Sequence, residues 1–230
     1  VHADDPTRIP AIMRALETAW EGQPDLTLPA FIGVLHNRGM SWATTEDELL
    51  ELLAELTREH PARIDDSPDH PLLFTTSDPE QLVTLVDGFA VVRSASRPDQ
   101  MPAAWAYSGL RTTGPGRPLV ISDDEGVEHR FGVVRLAARI DAEHAEPLHG
   151  LTRDRVGGAR WLVMLTGGRR AVVGPRIRVW EQKRRDVQQR TYAWERVIAA
   201  QPGEDMKVAP ASGGEPLTLG PVERVLLLES

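Results

Sequence analysis

Residues 161–174 read WLVMLTGGRRAVVG, six residues rich in Val, Leu and Trp, a Gly-Gly pair, then a second arm of equal length. Gly167 and Gly168 suit a two-residue connection whose backbone needs positive φ, so the stretch predicts an antiparallel hairpin. A second hairpin is written in PLVISDDEGVEHRFGVV (118–134), with Asp123, Asp124 and Gly126 at its turn. LLFTT (72–76) and FAVVRSA (89–95) read as further strands, and VERVLLLE (222–229) as a last one that needs a sheet partner.

Between these strands the pattern is less uniform. SDPEQLVTLVDG (77–88) reads as a short helix, with Ser77 or Asp78 as cap and Pro79 at the first position, where a missing N–H costs nothing. RIDAEHAEPLHG (139–150) is a helical turn or a loop broken by Pro147. In the basic stretch 176–200, Val187, Thr191, Trp194 and Ile198 recur at helical spacing, while RTYAWERVI also alternates as a strand would; the spacing favours a helix. The glycine-rich segment 203–220 reads as a loop.

Residues 7 to about 60 carry a different period. Thr7 is expected to cap a helix in which Ile9, Ile12, Leu16 and Trp20 form a stripe to be buried, closed by Gly22 and Pro24. A second helix starts near Leu28, with Pro29 in its first turn and Phe31, Ile32 and Leu35 inward, and stops at Gly39. Thr44 or Thr45 caps a third, in which Glu46, Asp47 and Glu48 meet the positive end of the helix dipole and Leu49, Leu50, Leu52, Leu53 and Leu56 form the inner face. DDSPDHP (65–71) reads as a linker. The expected fold class is therefore α+β: a three-helix domain over 7–64 and a mixed, mainly antiparallel sheet domain over 72–230. So small a helical unit is marginal alone and is expected to dock on the remainder.

The pattern ALETAW-x3-PDLTL-x2-FI (15–32), followed by TEDELLELL (45–53), resembles a group of short uncharacterised bacterial helical proteins with a Trp, a PDL-x-L turn and an acidic ED-x-L-L helix. The resemblance implies a three-helix fold and no particular activity.

Composition bounds the function. The chain has 230 residues, no Cys and a net charge of −8, which excludes disulfide scaffolds, thiolate nucleophiles and Cys-ligated metal. No apolar run approaches the roughly 20 residues that span a bilayer, and VHADDPTR (1–8) lacks the basic and apolar regions of an uncleaved secretory signal, so no membrane association and a cytoplasmic location are expected. Arg outnumbers Lys 24 to two, the bias of a GC-rich, bacterial genome. Charge is divided unevenly: residues 1–150 hold 12 Arg against 25 acids, whereas 151–200 hold 12 Arg and Lys against four.

Chemical motifs are sparse. Asp141, Glu143, His144, Glu146 and His149 are ligand types, but His144 and His149 are five apart and Pro147 lies between them, so no metal and no cofactor is expected. GPGRP (114–118) and TGGRR (166–170) lack the Lys-Ser/Thr of a phosphate-binding loop and read as turns. No G-x-S-x-G elbow surrounds Ser108 or any other serine.

The reading that remains is a non-catalytic binding or regulatory protein, acting through protein or small-ligand contacts where its acidic and basic parts meet, with a protein partner or a second copy as occupant. Two other classes stay open. One is a nucleic-acid-binding regulator using 151–200, with Trp180, Tyr192 and Trp194 as stacking surfaces; the acidic helical domain opposes it. The other is an enzyme with a dispersed active site. Arg169, Arg170, Trp180, Arg184 and Arg185 are the candidate binding residues, because positive charge and a stacking surface coincide there.

Overall fold

The computed structural model describes residues 6–183 and 186–230. The chain divides into two compact units, Val1–Val83 with Ala106–Arg139 and Thr84–Trp105 with Ile140–Ser230. Its class is α+β, with three helices, α1 (Arg8–Glu21), α2 (Leu28–Asn37) and α3 (Glu46–Glu59), preceding antiparallel strands. The strands form a closed barrel and a separate seven-stranded sheet rather than one mixed sheet. β1 (Leu72–Ser77), β2 (Gln81–Val86), β3 (Phe89–Ser94), β4 (Ala103–Leu110), β5 (Pro118–Asp123) and β6 (Glu128–Arg139) close in sequential order into a barrel. β7 (Arg160–Leu165), β8 (Arg169–Val173), β9 (Ile177–Lys183), β10 (Asp186–Tyr192), β11 (Trp194–Ala199), β12 (Asp205–Pro210) and β13 (Leu217–Glu229) form a sheet ordered β10-β9-β8-β7-β13-β12-β11.

In the first unit the helices begin and end as their sequence dictates. Thr45 closes a capping box at α3: its Oγ1 accepts from Glu48 N at 3.3 Å, and Glu48 Oε2 accepts from Thr45 N at 2.7 Å. Thr27 caps α2 by accepting from Ala30 N at 3.4 Å. Thr7 precedes α1 in helical backbone geometry and forms no side-chain cap, unlike the expectation. Arg8 pairs with Glu46 at 3.1 Å where α1 and α3 start, and where they end a Cβ on Gly22 would stand 2.0 Å from His60 O. The two helices therefore run parallel, which only a glycine at 22 allows at that separation. Ala19, Phe31, Leu35, Leu53 and Leu56 form the core between them. The same unit joins helices to strands: His60 Nδ1 donates to Ala137 O at 3.3 Å, Arg135 pairs with Asp25 at 2.7 Å, and Ile64 and Thr113 exchange two backbone bonds of 2.9 Å.

In the second unit the sheet carries a core on each face, because successive strand residues point to opposite sides. Trp161, Val163 and Leu165 of β7 join Ala171, Val173, Ile177, Trp194, Met206 and Val208 on one face. Leu162 of the same strand joins Leu226 and Leu228 of β13, with Val86 and Val91, on the other. β13 pairs with β12 up to Pro221 and with β7 from Val222 onward, changing neighbours beside Gly220 and Pro221. The final strand has the partner its sequence requires, β7, and begins earlier than residue 222.

Both predicted hairpins form. The β7–β8 connection is Thr166, Gly167 and Gly168, one residue longer than expected, because Leu165 pairs with Arg169; the two glycines take φ of 75° and 74°. Three segments depart from expectation. Residues 81–86 are strand β2, not helix; four of its residues are buried in succession, and a short run apolar on both faces carries no period that separates strand from helix. Residues 177–183, 186–192 and 194–199 are β9, β10 and β11. The helix-like quartet there shares no common face: Trp194 is buried while Val187 and Ile198 are exposed, and β-branched density prevails. The glycine-rich segment 203–220 contains β12 and the start of β13, with Gly203, Gly213 and Gly214 in the connections and Gly220 inside β13 where it changes neighbours.

Candidate functional site

The residues singled out from the basic stretch occupy distinct places. Cross-strand register puts Arg170 opposite Trp180 on β8 and β9. Trp180 is 2% exposed, and its Nε1 donates to Asp99 O at 2.7 Å. Arg170 Nη1 donates to Pro102 O, and burial pushes its guanidinium below the ordinary arginine value. Arg178 Nη1 donates to Pro98 O at 3.2 Å. Three side chains of β8 and β9 thus hold the β3–β4 connection through its backbone carbonyls. Arg169 stands on the opposite face, its Nη1 donating to Leu219 O at 3.0 Å and its Nε to Thr166 O at 3.3 Å. Arg184 and Arg185 lie outside the described residues.

A group of exposed apolar side chains lies instead on the helical part of the first unit. At about 100° per residue, Ala15, Ala19, Ile12, Leu16, Ile9, Trp20 and Met13 follow one another around α1 over an arc of about 160°. A stripe of roughly 100° suffices to dock a helix on a core. The surplus is visible in the burial: Ala19, in the first half of the arc, is fully buried, whereas Ile9 and Met13, in the second half, are 51% and 55% exposed. The sequence-expected stripe of Ile9, Ile12, Leu16 and Trp20 is therefore split, with Ile9 outside the core.

Leu28 of α2, 41% exposed, and Pro24 face the same space, which forms a groove of about 450 Å³ with Met13, Leu16 and Trp20. Trp20 Nε1 donates to Leu26 O at 2.7 Å, so the indole is pinned by its polar end and offers only apolar surface to the groove. Glu17 and Glu21 line the rim beyond Met13. They are exposed, stand four residues apart on one helix face, and form no ion pair among the described residues. Like charges at that spacing repel. The groove thus combines apolar walls with an unneutralised acidic border. Met13, Glu17 and Glu21 went unmarked in the sequence, and Leu28 was marked only as a helix start; the signal for them was an apolar arc on α1 wider than one docking stripe.

Other clusters are local. His129 Nε2 and Asp123 Oδ2 are 2.8 Å apart at the β5–β6 turn, where Asp123 Oδ1 also accepts from Val127 N and Glu125 N. His144 Nδ1 stands 2.8 Å from Asp141 Oδ2 on an exposed turn. No group of His, Asp and Glu with metal-holding geometry occurs among the described residues. No helix of the described residues is long and apolar enough to cross a membrane.

No family model, curated protein or solved structure matches the chain.

Proposed function

We propose that the protein is a non-catalytic binding protein whose α1–α2 groove receives an amphipathic helix of another protein, apolar on its docking face and flanked by Lys or Arg. The observation that carries this reading is the surplus apolar arc of α1, with Ile9 and Met13 more than half exposed beside a groove of about 450 Å³. Exposed contiguous apolar surface bordered by charge is the ordinary mark of a protein interface. The acidic rim favours a basic occupant, since a Lys or Arg beside Glu17 and Glu21 relieves their mutual repulsion. An amphipathic helix laying its apolar face into a groove is a recurring mode of such recognition.

Recognition of nucleic acid through the basic segment draws less support. Stacking needs an open ring face, and Trp180 and Trp194 are both buried.

The test is a titration of the full chain, labelled at its methionine methyl groups, with a synthetic Leu/Lys amphipathic helix and with its Leu/Glu counterpart. The reading expects saturable shifts of the Met13 methyl with the basic peptide and little change with the acidic one. An unmoved Met13 signal, or equal response to both peptides, contradicts it.

A further inference from the structure

The curled sheet of the second unit borders a second, chemically different space. Arg169 at the start of β8, Glu181 of β9, Gln188, Arg190 and Tyr192 of β10, and Thr218 at the start of β13 line one cavity of about 120 Å³. β10 and β13 stand four places apart in the strand order, so the sheet curls far enough for both to reach it. Register sets the side chains: Glu181 lies opposite Gln188, and Arg190 opposite Val179, on the face that also carries Ile177 and the inner core.

The charges in this cavity are not internally matched. Arg169 is held by the carbonyls of Thr166 and Leu219, and a Cβ on Gly220 would stand 2.2 Å from its Nη2. Gly220, at φ 113°, thus leaves the guanidinium room to lie against the strand, a fixed positive group with no carboxylate in ion-pair range among the described residues. Arg190 is exposed and forms no ion pair among them either. Two guanidinium groups face a single carboxylate, Glu181, leaving an excess of one positive charge.

Size narrows the occupant. A cavity of about 120 Å³ is well below the 300–1,000 Å³ of sites for drug-sized molecules. At about 30 Å³ per water it holds about four waters, the bulk of one small oxyanion. Guanidinium forks match such oxygens in pairs. We infer that this cavity is a binding site for a phosphate group, carried either as inorganic phosphate or as the head of a phosphomonoester whose remainder projects through the mouth. Glu181 opposes the bound charge and sets the affinity low.

The test uses the full chain at constant ionic strength, with amide signals of 188–192 and 217–219 followed by NMR during titration with inorganic phosphate, phenyl phosphate and acetate. The inference expects saturable shifts with phosphate, weakened about tenfold by Arg190→Gln and strengthened severalfold by Glu181→Gln. Both substitutions are at exposed positions, so the fold is retained and unchanged spectra elsewhere verify it. Tighter binding of phenyl phosphate than of phosphate identifies the group as a head group; the reverse order identifies the free ion. Shifts that stay linear, binding unchanged in Arg190→Gln, weaker binding in Glu181→Gln, or acetate binding as tightly as phosphate would overturn the inference.

Discussion

Trp180 Nε1 donates to Asp99 O at 2.7 Å across 81 positions of sequence, placing the indole beneath the β3–β4 connection. An aromatic side chain in a run of arginines thereby becomes part of a clasp, with Arg170 on Pro102 O and Arg178 on Pro98 O beside it. The carbonyls of Pro98, Asp99 and Pro102 lie between β3 and β4, outside any strand, and accept side-chain donors from β8 and β9. Trp180→Phe is expected to remove one donor and cost about 1 kcal/mol, while Trp180→Ala adds a cavity and costs about 3–5 kcal/mol. Urea unfolding measures both. Faster proteolysis at 97–104 in Trp180→Phe, with little change elsewhere, would locate the effect in the clasp.

The β5–β6 turn should respond to acid. The His129 hydrogen bond, followed by the Val127 N–H, holds the Asp123 carboxyl below the ordinary aspartate value. A depressed value in the folded state stabilises the turn above the unfolded aspartate value, and that contribution fades as pH falls through the folded one. Amide exchange at Val127, corrected for its intrinsic pH dependence, is expected to quicken over that acidic window. In His129→Gln the Asp123 carboxyl, followed by NMR, should titrate at higher pH than in the parent protein. No upward movement would contradict the role given to His129.

The two halves of the α1 arc should behave differently under mutation. Ile9→Lys and Met13→Lys alter side chains more than half exposed and are expected to change stability by within about 0.5 kcal/mol. Ala19→Leu forces extra volume into a fully buried position between helices and is expected to cost about 1–3 kcal/mol. Thermal or urea unfolding of the three variants checks this. A large loss in Met13→Lys would mean that Met13 belongs to the core and that the groove is filled by the chain itself.

Much of the fold was legible from local rules and some was not, for identifiable reasons. The capping box of Thr45 and Glu48, the Gly167-Gly168 turn and the apolar strands around it are short-range signals, and each appears where its residues stand. β2 was hidden because QLVTLV is apolar on both faces, leaving nothing to alternate. β9 to β11 were hidden because Val187, Thr191, Trp194 and Ile198 coincide with a helical period while belonging to strands that bury Trp194 alone among them. Closure of β1 to β6 into a barrel depends on the pairing of Leu72 with Arg139, a long-range contact that no local window contains. The candidate groove was half legible: Leu16 and Trp20 were marked as apolar, but their assignment to a buried stripe concealed that Ile9 and Met13 remain outside.

A charge exchange at the groove rim tests the proposed binding most directly. The Glu17→Lys, Glu21→Lys double variant and the parent protein are each titrated with the Leu/Lys and Leu/Glu helices under the same salt conditions. The account predicts that the parent prefers the basic helix and the double variant the acidic one, with the Met13 methyl reporting both events and weakening of each preference at high salt. If the double variant retains the parent's preference, or if neither protein perturbs Met13, the groove on α1 and α2 is not the binding surface.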